Sequence, residues 1–160
     1  MELLVWSQFT LTKGGKPPAH LYKVRYMYPI GPPYPLLYRK IPIDRQIRMQ
    51  YRTILLNIAH HFKLEKSISI LAHIYLYKFH LIIGRVCVDE GVRISIAAMT
   101  VAIKMLHEHT GDLNARLAIL TNHTTYQINK FEIGFLETID FNTHVGINEF
   151  NFMKGLMCDK

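Results

Sequence analysis

Proline is absent from residue 43 onward. All seven prolines of this 160-residue chain (17, 18, 29, 32, 33, 35 and 42) lie before it. The rest is therefore free of the strongest helix breaker. Cysteine is scarce as well: Cys87 and Cys158 cannot make a disulfide framework. The first residues, Met-Glu-Leu-Leu-Val-Trp, carry neither a basic segment nor a long apolar one. An intracellular, reducing setting is expected, cytoplasmic or nuclear, with an organellar or cytoskeletal complex left open. No apolar run approaches the roughly 20 residues of a membrane-spanning helix. Charged residues make up only 19% and apolar ones 49%, a globular balance. The length suits one domain with a sizeable core.

Catalytic signatures are missing too. There is no Gly-rich phosphate loop, no G-x-S-x-G and no H-E-x-x-H. Of nine histidines, His60 and His61 are adjacent, and His107 and His109 are two apart. Neither spacing puts both rings on one helical face. Cys87 has no cysteine nearby, so no metal site is expected. Glu108 beside His107 or His109 resembles an acid–base pair, but such a helix end reads as solvated. Neither catalysis, a cofactor nor a small-molecule substrate is expected.

The net charge of +7 is unevenly placed. Residues 1–43 hold six Lys/Arg against Glu2 alone; residues 44–160 hold 13 against 11 acids. A nucleic-acid-binding domain usually carries its basic stripe on the fold itself, so nucleic acid is not the expected partner. Five of nine tyrosines share the proline-rich arm. The chain thus divides into an extended, basic, Pro/Tyr-rich arm (1–43) and a helical domain (44–160).

The helical domain is organised around residues 93–109, which contain ten nearly uncharged positions before Lys104. Apolar side chains fall on all sides of that helix, which marks it as buried among others. Around it the periodicity predicts helices over about 44–62, 67–83, 114–121 and from 125 to about 139. Asp44 is placed to cap the first, and Asp112 or Asn114 the fourth. Thr124 and Gln127 have capping-box spacing at the fifth. Gly84 to Gly91 reads as a loop, and 146–157 as one more short helix. The fold class is all-α: five helices bundled around the third.

Lys104 is the one cation of the buried helix. An unpartnered buried ammonium costs several kcal/mol, so Lys104 either reaches a surface or meets an acid. Glu132 lies one turn from Ile128 and from Phe135/Leu136, at the border of an apolar face. Two arrangements stay open: a private Lys–Glu pair tying two helices, or a pair at a groove that serves a partner's backbone.

Ala102-Ile-Lys104-Met-Leu-His-Glu108 resembles the A-x-K-F-x-D-D stretch of the cyclin box. Residues 127–141 are similar to its E-L-N-x-L-E-x-x-F-L-x-x-L-D-F stretch. Tyr51-Arg52-Thr-Ile-Leu55 resembles M-R-A-I-L, and residues 71–79 resemble L-A-x-x-Y-L-D-R-F. Gly91-Val92-Arg93-Ile94 resembles N-V-H-R-L, a mark of the yeast phosphate-pathway cyclins. The order holds over about 45–152, one cyclin box. The resemblance implies that Lys104 and Glu132 hydrogen-bond the backbone of a cyclin-dependent kinase near its αC helix. It also implies a buried, structural Arg52, and a docking patch of Tyr51, Ile54 and Leu55, for which a core placement is the alternative. Departures stand at Tyr77, where the family has the aspartate that pairs with that arginine, at Lys78 for arginine, and at His107 and Glu108 for two aspartates. Two functions follow as expectations: a regulatory subunit that binds and activates a cyclin-dependent kinase, or a cyclin-fold scaffold in a larger assembly without a kinase.

Overall fold

The structure is a computed structural model and describes residues 43–107 and 110–158, with the Cys158 side chain excepted. The arm at 1–42, and with it the expected extended course, lies outside the described residues, as do Glu108 and His109. Among the described residues there are six helices and no strand: α1 Arg45–Phe62, α2 Lys66–Ile83, α3 Val88–Leu106, α4 Leu113–Thr121, α5 Thr125–Thr138 and α6 Ile147–Cys158. This is the all-α bundle that the pattern implies.

Asp44 caps α1 by accepting a hydrogen bond from the Gln46 N–H at 2.7 Å. At α5 the capping box is complete. Gln127 N donates to Thr124 Oγ1 at 3.2 Å, and Thr124 N to Gln127 Oε1 at 2.8 Å. Two boundaries differ from expectation. α3 begins at Val88, within the expected loop, because Glu90 reaches back to the Cys87 N–H at 3.2 Å and satisfies that end. Gly91 then sits inside the helix, where α1 comes close. A Cβ there would lie 2.5 Å from Gln50 Oε1. At α4, Asp112 is the N-cap residue but makes no side-chain cap bond, and Asn114 is used elsewhere.

Every residue of α3 from Ile94 to Ile103 is buried, as an all-round apolar helix requires. The two hydroxyls in this run bond back to their own helix: Ser95 to Gly91 O at 2.7 Å and Thr100 to Ile96 O at 2.8 Å. α1, α2 and α5 pack around it. Phe79 of α2 stacks on Phe135 of α5 with ring centroids 5.3 Å apart. α6 packs on α2 through a smaller cluster of Ile70, Ile74 and Met153, joined by Tyr77, Val145 and Phe150. Tyr77, which stands at the family's aspartate position, is therefore part of an apolar contact with α6.

A polar chain crosses the core from α1 to α2. His80 Nδ1 lies 2.8 Å from the Gly84 carbonyl and must donate to it, which leaves Nε2 to accept from the Tyr51 hydroxyl at 2.7 Å. Burial pushes the ring's pKa below the usual histidine range, against the Gly84 carbonyl, which favours the charged form. Burial does the same to His73, with Arg52 nearby adding to the effect. The unfolded chain takes up protons at these rings below about pH 6.5, whereas the folded chain does so only at lower pH. Stability should therefore fall as the pH drops below that value, by up to about 1.4 kcal/mol per pH unit for each ring. Urea unfolding at pH 7.5 and pH 5.5 checks this, and His80→Gln should flatten the dependence.

Candidate partner-binding site

Lys104 stands in the last turn of α3, one residue beyond the buried run. Its cation is favoured there by the helix C-terminus. Glu132 stands mid-way along α5. The two are brought together: Lys104 Nζ donates to Glu132 Oε2 at 2.7 Å, with the side chains 33% and 13% exposed. The ammonium has thus reached a surface and met an acid at once.

α4 contributes a third member that sequence reasoning read only as a possible cap. Asn114 Nδ2 donates to the same Glu132 Oε2 at 2.9 Å and to Asn129 Oδ1 at 2.5 Å. Asn129 lies one turn before Glu132 on α5, and that i, i+3 spacing was the available signal. Both bonds to Glu132 fall on Oε2. The carboxylate therefore keeps Oε1, and Lys104 keeps two of its three N–H donors, for another acceptor or donor. The same helices expose apolar side chains: Met105 and Leu106 at the end of α3, Ile119 on α4, and Tyr126 and Ile133 on α5. Lys130 lies over the Tyr126 ring, 4.7 Å from its centre. A charged pair with spare hydrogen-bonding groups, on helices that also expose apolar side chains, suits a protein surface better than a small molecule.

The other expected site residues are placed differently. Tyr51 and Leu55 are 3% and 1% exposed, so they belong to the core. They lie on the face that α1 turns inward, and the Tyr51 hydroxyl is committed to His80. Ile54 alone is half-buried. An exposed patch made of all three is corrected to a core position. Arg52 is exposed rather than buried, because it follows Tyr51 on the outward side of α1. No buried guanidinium then needs the missing aspartate. His107 caps the C-terminus of α3 and is exposed.

The described residues therefore form a helical module with a polar cluster at the junction of α3, α4 and α5. Comparison with known families says which kind of module it is. The family profile Cyclin matches residues 45–143, well over half of the chain. The chain belongs to the cyclin family, whose members are regulatory proteins rather than enzymes. No curated protein and no solved structure matches it. No helix among the described residues is long and apolar enough to cross a membrane.

Proposed function

We propose that the chain is the regulatory subunit of a cyclin-dependent protein kinase and that it binds the kinase through Lys104 and Glu132. The carrying observation is the pair itself. It is formed in advance, with Lys104 one-third exposed and Glu132 more deeply set, and its internal bonds leave Oε1 and two ammonium hydrogens over. The pair can therefore brace α3 against α5 and still offer groups to a partner. By membership of the family, the groups left over meet the kinase backbone at the start of its αC helix. Holding that helix inward completes the kinase's own Lys–Glu ion pair, which positions the ATP phosphates. The chain itself contributes no catalytic group to that reaction. The stretch Gly91-Val92-Arg93-Ile94 favours the phosphate-pathway type among cyclins, acting in the cytoplasm or nucleus.

The test is complex formation with purified kinases. The full chain, mixed with each of a panel of cyclin-dependent kinase catalytic subunits, should co-elute with at least one of them at 1:1. Failure with the whole panel, together with recovery of the chain in a stable assembly of non-kinase subunits, contradicts the proposal.

A further inference from the structure

Asn114 carries the unpaired atom of the cluster that is also buried. Both N–H groups are committed, to Asn129 Oδ1 and Glu132 Oε2. Its carbonyl oxygen is buried and has no hydrogen-bond partner. Turning the amide over would not help, because its oxygen would then face two acceptors. A buried acceptor without a donor is costly, and a half-satisfied polar group is worse for stability than an apolar one of similar shape. If Asn114 served the fold alone, a leucine would serve as well or better.

The donors show what the amide does. Lys104 approaches Glu132 Oε2 from α3, and Asn114 approaches the same oxygen from α4. Two donors from two helices on one oxygen fix the rotation of the carboxylate, and with it where Oε1 points. A single flexible lysine cannot do this, since its ammonium turns freely and follows the carboxylate. Asn129, held by the other N–H of Asn114, ties the amide to α5, the helix that carries Glu132.

From this arrangement we infer that Asn114 is a positioning residue of the partner-binding site. It fixes the Glu132 carboxylate for the incoming protein, at a cost in the stability of the free chain. This rests on the kinase reading for the identity of the partner, but not for the positioning itself.

Two measurements on the full chain test it. The first needs no partner. The coupling between Lys104 and Glu132 is obtained from the stabilities of Lys104→Ala, Glu132→Ala and the double variant, then repeated in the Asn114→Leu background. Asn114→Leu should keep or raise the melting temperature while reducing the Lys104–Glu132 coupling to less than half. Unchanged coupling, or a melting temperature lowered by several degrees, overturns the inference and leaves Asn114 a structural residue. The second uses the kinase that co-elutes with the chain. Asn114→Leu should weaken binding about tenfold, with no further loss when Glu132→Ala is already present. An equal loss in both backgrounds means that Asn114 acts apart from Glu132 and overturns the inference. If no kinase binds at all, the kinase reading fails, while the partner-free coupling still decides the role of Asn114.

Discussion

Lys78→Met should lower the unfolding free energy by about 3–5 kcal/mol, the usual cost of removing one member of a buried ion pair. The Lys78 ammonium is 6% exposed and lies 3.9 Å from Glu149 Oε2 of α6, itself 5% exposed. It also donates to Asn142 O at 3.3 Å and to His144 O. One residue of α2 thus holds both the connection from α5 to α6 and the first turn of α6. Tyr75 reinforces it by donating its hydroxyl to Thr143 O at 2.9 Å. Burial drives the Lys78 pKa below the usual lysine range, and the Glu149 carboxylate opposes that shift. Methionine is close to lysine in length and offers no donor, so the two carbonyls lose their shared partner. Glu149→Met added to Lys78→Met should restore much of the loss, since replacing a whole buried pair by apolar side chains is often neutral. Urea unfolding followed by circular dichroism measures both variants. Amide exchange should become faster in α6 first, because α6 packs mainly on α2. A loss below about 1 kcal/mol would mean that the apolar cluster around Met153 holds α6 by itself.

Lys104→Ala and Glu132→Ala should each weaken kinase binding about tenfold to a hundredfold, yet barely move the melting temperature. The two effects differ because the surroundings differ. In the free chain Lys104 is one-third exposed, so the pair contributes no more than about 1 kcal/mol. In the proposed complex the same groups would be desolvated and bonded to a partner's backbone, where a charge-assisted hydrogen bond contributes about 1.5–3 kcal/mol. Isothermal titration against the kinase, with a melting curve for each variant, reads both quantities. A large fall in melting temperature with unchanged affinity would reduce the pair to a brace between α3 and α5.

Much of the frame was legible in the sequence because its signals are local. Asp44 and the Thr124/Gln127 box lie within three residues of the groups they bind. The buried run of α3 announces itself by lacking charge, which requires no knowledge of its neighbours. Lys104 and Glu132 stood out because each is a charge beside an apolar face. Features that depend on what lies opposite were not legible. Nothing around Lys78 says that it is buried, since its acceptors are 64 and 66 residues away. Periodicity placed Tyr51 and Leu55 on the apolar face of α1 without saying whether that face meets α3 or a partner. Arg52 was read through the family's buried pair, whereas its place on the outward side of α1 leaves it exposed and Tyr77 packs toward α6 instead. Asn114 looks like any polar residue at a helix start, and only the fold brings it to Glu132. The start of α3 was missed because Gly91 reads as a loop residue, whereas it lies inside the helix beside Gln50 of α1.

The most direct measurement is the rate at which a purified cyclin-dependent kinase phosphorylates a peptide, with and without the full chain. For the kinase that co-elutes with the chain, the rate should rise at least tenfold at saturation, and Glu132→Ala should raise the concentration needed by tenfold or more. A kinase that binds the chain but gains no activity, or one whose activation is indifferent to Lys104 and Glu132, would contradict the proposed role.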